Sequence, residues 1–425
     1  MTDVAEPLQN WSGTYRYQAA KVHHPRAISE VQLLVSSRGS LHAVGTRHSF
    51  NAIADATELI SLAELPGEAV INTENQTVTV PARMRYGALA VFLQEAGWAL
   101  SNMASLPHIS IAGSVATATH GSGNRNPTLA SAVTAMTLVT GTGDLVHLDR
   151  DSADFPGAVV HLGALGVVTD LTLVIEPTFN ARQDVYQGLP WDALTGSFED
   201  VMSSGTSVSA ITDFASDTVL LLWVKTRLIN DEPRDMPSEL FGAIGATEQL
   251  HVTPGNDPLH CTPQLGEPGP WYERIPHFLL GYNPSTGAEI QSEYLIDRRY
   301  ASQVINTLRE FGPQIAPLLR SAEIRTVAAD DLWLSPAYGR DVFGVHFTWR
   351  PEGEAVNKIL GKIEPALAPY EPRPHWGKVF SSNFEFEPLY PKLADFAVLC
   401  ERYDPKGSFR NSYLARTILG GDGAA

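Results

Sequence analysis

The sequence predicts an α+β protein of two domains, and three observations carry that prediction. The first 175 residues hold short, half-buried strands and a glycine-cornered hairpin around isolated helices. Pro177 closes that region. Beyond it, a β-α-β unit followed by one more strand and helix predicts a mainly antiparallel sheet with helices on one face.

Each element follows from its residues. Ser29 reads as the N-cap of a helix over 30–36, and 41–44 as a short strand running into a loop at His48. Over 76–80, Thr77 and Thr79 alternate with Val78 and Val80, the period of a half-buried strand. Residues 86–96 carry an apolar helical face, and Gly97 stands where a left-handed C′ residue belongs. Strands over 133–139 and 145–148 flank Gly141-Thr142-Gly143-Asp144, a hairpin corner. The turn Gly163-Ala164-Leu165-Gly166 opens into a strand over 167–175. In the second half, 218–226 is a nearly continuous apolar strand, and 228–273 reads as a long Pro-rich loop able to cover a site. A strand over 293–296, a helix capped by Asp297 and running to Phe311 with Gly312 behind it, and a strand over 322–327 make the β-α-β unit. Residues 341–349 and 352–367 continue as strand and helix.

Composition excludes several function classes. A net charge of −17 is the wrong sign for a nucleic-acid partner. No window approaches about 18 uninterrupted apolar residues, so no membrane span is expected. Residues 1–10 lack the basic and apolar regions of a signal peptide. Cys261 and Cys400 are the only cysteines, which suits a reducing cytoplasm better than a disulfide-stapled secreted fold. There is no G-x-G-x-x-G, G-x-x-x-x-G-K-[ST], H-E-x-x-H or G-x-S-x-G, and the histidines form no metal-ligand spacing.

Chemistry concentrates in two places. Residues 101–123, S-N-M-A-S-L-P-H-I-S-I-A-G-S-V-A-T-A-T-H-G-S-G, are almost free of charge and packed with Gly, Ala, Ser and Thr. Such a segment lets the main chain approach a large anion or cofactor and aims N–H and hydroxyl donors at it. A flexible linker would not be laced with Leu106, Ile109, Ile111 and Val115. In the second half, Glu323 and Arg325 share one strand face, and His346 and Thr348 share a face of a later strand. Ile324 and Phe347 would then face the packed side. Four converging polar groups describe a site on a sheet. On the residues alone, a solvated face with a surface ion pair worth ~0–1 kcal/mol reads slightly better.

With A-V-G-T-R-H-S-F-N at 43–51, the 101–123 stretch resembles the FAD-binding domain of the vanillyl-alcohol-oxidase superfamily. Glu-Ile-Arg-Thr at 323–326, His-Phe-Thr-Trp at 346–349 and His-Trp-Gly-Lys at 375–378 look like the alditol (xylitol/sorbitol) oxidases. These separated motifs fall in the family's order over nearly the whole chain. The resemblance implies an FAD-binding domain over 1–177, a substrate-binding cap over 178–375 and a segment over 376–425 that returns to the FAD domain. It implies FAD contacts from Ala43, Val44, Gly45, Thr46, Arg47, His48 and Ser49 in a first loop. A second loop would add Ser105, Ser110, Gly113, Ser114, Val115, Ala116 and Thr117, and Val167 would touch the adenine-side half. His48 would be bonded covalently to the 8α-methyl of the isoalloxazine. The family commonly has a small residue, often Gly, before that histidine, whereas this chain has the bulky cation Arg47. Met103-Ala104-Ser105 would border the flavin's reactive edge.

The activity so implied is oxidation of the terminal C1 hydroxyl of an alditol to the aldose, with O2 reduced to H2O2. A hydride leaves carbon for flavin N5 while the hydroxyl loses its proton, so donors are needed where alkoxide charge develops. Arg325 and Lys378 are expected to supply them, and His346 to accept the proton directly or through water. Glu323, Thr348 and Ser105 would bind the polyol's other hydroxyls. The expected partners are the polyol and O2, with no obligate protein partner. An aldonolactone dehydrogenase of the same superfamily, using another acceptor, is the near rival. A hydrolase pairing Glu323 with Asp330 or Asp331 and a non-catalytic sugar-binding protein are distant ones, and both leave 101–123 unexplained.

Overall fold

The computed structural model describes residues 8–229, 232, 236–282, 289–381 and 384–419. Residues 1–7, part of the stretch read for a leader, and 230–231 and 233–235 of the expected loop lie outside them. In the first half, Lys21–His23, Glu58–Ile60 and Leu41–Ala43 form a parallel sheet. An antiparallel sheet runs in the order Val70–Asn72, Thr77–Pro81, Gly166–Val174, Val133–Thr140, Leu145–Asp149. Val78 and Val80 are fully buried while Thr77 and Thr79 are half-buried, as the alternation requires. The helix Tyr86–Glu95 buries Tyr86, Leu89, Ala90 and Leu93 in the same core. Trp376, Tyr390, Phe396, Leu399 and Tyr413, from the far end of the chain, pack into that core as well.

Ser29 is not the N-cap of its helix. The helix Ile28–Ser37 starts after Ala27 and has no side-chain cap there. Instead the Glu30 carboxylate reaches back and accepts the Arg26 N–H at 2.7 Å, which satisfies one donor and places a negative charge at the helix start.

In the second half a single sheet runs Glu239–Leu240, Ala243–Gly245, Asn180–Pro190, Thr218–Arg227, Ser207–Thr212, Leu319–Val327, Val342–Trp349, Ile290–Asp297, Arg373–Pro374, and Gly269–Pro270 pairs off its path. All its pairings are antiparallel. The β-α-β unit is present but split. Its strands Ile290–Asp297 and Leu319–Val327 both pair with Val342–Trp349, which lies between them. Asp297 caps the turn Arg298–Tyr300 by accepting the Arg299 N–H at 3.1 Å, and the helix Ala301–Glu310 follows. Gly312 does not close that helix; it opens the short helix Gly312–Ile315, packed so tightly that a Cβ would lie 2.3 Å from the Phe214 carbonyl oxygen.

Side-chain alternation fixes which face does what. Tyr294, Ile296, Ala322, Ile324, Phe343, Val345, Phe347 and Trp349 pack against Leu194, Val201, Val304, Leu308, Val356 and Ile363 of the covering helices. Each large apolar side chain so buried contributes about 1.5–3 kcal/mol, so a one-residue slip of any strand is prohibitive. Gln291, Glu293, Ser321, Glu323, Arg325, His346 and Thr348 are thereby held on the opposite face. The expected 228–273 loop is more ordered than a loop. It adds the edge strands Glu239–Leu240 and Ala243–Gly245, and its later part roofs a small core of Val185, Ile211, Leu221, Trp223 and Cys261. Part of this sheet face is thus covered, and the part around Glu293, Glu323 and His346 opens as a cleft. No helix among the described residues is long and apolar enough to cross a membrane.

Candidate active site

The cleft, about 720 Å³, lies between this sheet face and the two loops around His48 and Ser110. Gly45 lets those loops meet, because a Cβ there would lie 2.4 Å from Ser110 Oγ. Thr46 Oγ1 ties them together: it accepts the Ser110 N–H at 3.0 Å and bonds His48 Nδ1 at 3.0 Å. The backbone N–H groups of residues 45–49 find no acceptor among the described residues, and all five residues line the cleft. Arg47 has φ 58°, in the left-handed region. A glycine preference at this position is therefore a backbone requirement, and Arg47 meets it at a cost of about 1–2 kcal/mol.

His48 stacks on Trp11 with ring centroids 5.2 Å apart. Burial, with help from His108 and Arg85, lowers its pKa to about 4, so the ring is neutral near pH 7. Ala43, Val44, Ser49, Ser105, Gly113, Ser114, Ala116 and Thr117 also line the cleft. Two expected contacts do not. Val115 and Val167 are buried in the first core, and Gly166 and Val168 line the wall in place of Val167. Met103 likewise points into the core, while Ala104 and Ser105 border the cleft. Trp11 Nε1, Tyr17 Oη and His42 Nε2 are buried polar atoms without partners, on residues lining this part of the cleft. A glycine-opened cradle, free amides and orphaned polar atoms fit a large anionic group rich in acceptors, as FAD is.

On the sheet side, strand register sets Glu293, His346 and Glu323 side by side. Lys378 reaches them from a turn that the first loop holds. Phe50 N–H donates to the Gly377 carbonyl at 2.7 Å, and Asn51 Nδ2 donates to the carbonyls of Trp376 and Lys378 at 2.8 and 2.7 Å. The centre of the cluster is Glu293, which sequence reasoning placed only as a strand residue. Its fully buried carboxylate lies 2.5 Å from Lys378 Nζ, 2.8 Å from Arg325 Nη2, 3.3 Å from His120 Nε2 and 3.6 Å from His346 Nδ1. Burial works to raise its pKa, but Lys378, His120 and Arg325 outweigh it and hold the carboxyl well below the usual range. Arg325 Nε has no acceptor; Glu323 Oε2 is 3.6 Å away.

His346 does not stand as a free base. Lys378 Nζ donates to its Nδ1 at 2.7 Å, and its Nε2 bonds Thr348 Oγ1 at 3.1 Å. While Lys378 is an ammonium, Nδ1 must accept and the ring proton sits on Nε2. Burial and Lys378 together lower the His346 pKa to about 4. Burial also lowers the pKa of Lys378, against the pull of Glu293. The two therefore titrate as a pair, and Nε2 can take a proton only once the pair has shed one. The hydrolase arrangement does not form. Asp330 is tied to Ser335 and Thr128 away from the cleft wall, and Asp331 is exposed. No group of three metal-ligating side chains occurs among the described residues.

These buried neutral histidines make a pH prediction. The folded pKa values of His48, His277 and His346 are each lowered to about 4, by burial first. An unfolded histidine protonates near pH ~6.5, so between pH ~6.5 and ~4 the unfolded chain binds more protons and folding weakens. Each ring contributes on the order of 1–3 kcal/mol above that window. The urea midpoint of the apoprotein is expected to fall steeply from pH 6.5 to pH 4; a flat midpoint would show that these rings are solvated.

A family profile described as FAD binding domain matches residues 19–149, and one described as D-arabinono-1,4-lactone oxidase matches residues 288–417. The chain is 44% identical to the alditol oxidase of Streptomyces sp. (strain IKD472 / FERM P-14339) over 98% of this chain and 100% of that protein. It is 26% identical to the L-gulonolactone oxidase of Mus musculus, over 97% of this chain and 98% of the relative. The L-gulono-1,4-lactone dehydrogenase of Mycobacterium tuberculosis (strain ATCC 25618 / H37Rv) is also 26% identical, over 96% and 98%. In fold alone, the crystal structure of cholesterol oxidase from B. sterolicum matches with a TM-score of 0.79 at 16% identity, covering 97% of this chain and 96% of that one. With near-complete coverage at 44% identity and a match to the FAD binding domain family, the chain belongs to the alditol oxidase family of FAD-dependent oxidoreductases, within the vanillyl-alcohol-oxidase superfamily.

Proposed function

We propose that this enzyme oxidises the terminal hydroxyl of an alditol such as xylitol or sorbitol to the aldose and reduces O2 to H2O2. The observation that carries this reading is the buried Lys378–Glu293–Arg325 cluster facing the cofactor cradle across one cleft. When bound, FAD supplies the hydride acceptor. Arg325 Nε and an N–H of Lys378 donate to the reacting oxygen as its negative charge grows, while Glu293 holds both side chains in place. The hydroxyl proton passes to His346 Nε2 once the Lys378–His346 pair is deprotonated, with the Lys378 amine then accepting from Nδ1–H. Glu323, Thr348 and Ser105 take the remaining hydroxyls. A deoxy analogue is rejected because it leaves such buried partners unpaired. Residues 1–177 act as the cofactor domain, 178–375 as the substrate cap and 376–425 as a return to the cofactor domain. Two buried free thiols, Cys261 and Cys400, support placement in a reducing cytoplasm.

Anaerobic mixing with xylitol is expected to bleach the flavin, and aerobic turnover to consume O2 with one H2O2 formed per alditol. L-gulono-1,4-lactone is the control. Bleaching by the lactone alone, or turnover only with a non-oxygen acceptor, would replace this reading with the aldonolactone dehydrogenase. Covalent attachment at His48 is read from acid precipitation. A yellow pellet that turns colourless in His48→Ala supports it, and colour released to the supernatant of the wild type removes it.

A further inference from the structure

Beneath Glu323 lie two buried groups that no step above uses. Lys225 belongs to the strand Thr218–Arg227 and His277 to the segment behind the covering loop. Lys225 is only 3% exposed, and its Nζ meets a histidine and a carbonyl instead of a carboxylate. It donates to His277 Nδ1 at 3.0 Å and to the Ile275 carbonyl at 2.5 Å. A donor on Nδ1 forces the His277 ring proton onto Nε2, which donates to Glu323 Oε1 at 2.9 Å. The His277 backbone N–H in turn donates to the Ser105 carbonyl at 3.2 Å. Trp223 packs edge-on to the imidazole, with ring centroids 5.0 Å apart, and fixes its plane.

A fold has little use for a lysine here. Burial lowers its pKa to about 7, and well-packed apolar residues commonly replace such buried polar assemblies without loss of stability. What the arrangement does achieve is directional. One Glu323 oxygen is occupied by His277, and the other lies 3.6 Å from Arg325 Nε, on a residue that lines the cleft. We propose that Lys225 and His277 form a positioning pair that fixes the Glu323 carboxylate, and through the Ser105 carbonyl the loop opposite, as a rigid receptor for the substrate's hydroxyls. The inference rests on the alditol reading above and deepens it.

Three variants test it: Lys225→Met, His277→Phe and His277→Gln. A glutamine side chain offers an acceptor and a donor about as far apart as the two ring nitrogens, so it can span Lys225 and Glu323. Lys225→Met and His277→Phe are expected to raise KM for xylitol about tenfold, with kcat within about twofold, the pattern of lost ground-state binding. Their melting temperatures should fall modestly, because each leaves buried polar partners unpaired, so the split between KM and kcat is the readout. His277→Gln should keep KM near wild type. An unaltered KM in Lys225→Met overturns the pair. So does a joint loss of kcat, KM and melting temperature, which would mark a structural role, or a His277→Gln variant as weak as His277→Phe. Wild-type enzyme is assayed alongside. Absence of alditol turnover there overturns the substrate reading and this inference with it, whereas normal wild-type turnover confines any failure to the pair.

Discussion

Lys378→Met is expected to slow anaerobic reduction of the bound flavin by xylitol by about 10²–10³-fold, with FAD still bound. The size follows from removing one preorganised donor from a largely buried site, where charge interactions are stronger than in bulk water. The Lys378 ammonium lies 2.5 Å from Glu293 and 2.7 Å from His346 Nδ1, so its position is set before substrate arrives. Met keeps an unbranched stem as far as Cε, with sulfur in place of Cδ, and lacks the nitrogen. The wild-type rate should rise with pH as the Lys378–His346 pair gives up its proton. Because burial lowers the Lys378 pKa, that limb should fall below the ordinary lysine value of 10.5. In Lys378→Met the limb should vanish. Stopped-flow absorbance of the flavin band, recorded across pH, is the measurement. A variant reducing at the wild-type rate would exclude Lys378 from the reaction.

Glu293→Gln is expected to destabilise the fold by about 3–5 kcal/mol, the usual cost of removing one partner from a buried ion cluster. Lys378 would then lose its nearest counter-charge and Arg325 would keep only Glu323, beside His120. Urea unfolding at pH 7.5 should show a lower midpoint with an unchanged slope. The double variant Glu293→Gln/Lys378→Met should recover part of the loss, at least about 1 kcal/mol, because one of the stranded cations is gone. Strictly additive losses would mean that the two residues do not act together. Glu293 also adds to acid sensitivity below the histidine window. Its folded pKa lies well under the ordinary value, so its contribution is whole above pH ~4.3 and is lost as the pH falls towards the folded value.

What the sequence made legible depended on how locally each feature is encoded. Glu323 with Arg325 and His346 with Thr348 could be paired on one face because strand alternation has a period of two and needs no partner strand. That the two pairs adjoin, with Glu293 beyond them, depends on the order of strands in space, which a split β-α-β unit hides. Glu293 was visible as a carboxylate heading the strand run Y-L-I, but nothing local said it would meet two cations, Lys378 and Arg325, from other segments. His120 sat inside the 101–123 stretch, where nothing singled it out. Lys225 interrupted the run L-L-L-W-V-K, and a lone lysine in so apolar a strand was the available sign of a buried partner. The edge strands at 239–245 were unreadable, since two or three residues carry no period. Ser29 misled because cap preference is a statement about one residue, and Glu30 satisfied the same helix end from within.

The division of the large sheet into a packed side and a polar side has a consequence for how this enzyme can change over generations. Gln291, Glu293, Ser321, Glu323, Arg325, His346 and Thr348 look towards substrate, while Tyr294, Ile296, Ala322, Ile324, Val345, Phe347 and Trp349 are anchored under helices. A substitution at Gln291, Ser321 or Thr348 can alter which polyol is accepted while the anchored side chains stay as they are. A single-residue insertion or deletion in any of these strands would exchange the two populations beyond it, sending charges beneath the helices and tryptophan into water. Lineages can therefore drift in specificity by exchanging side chains on one face, and drift in length only at the loops.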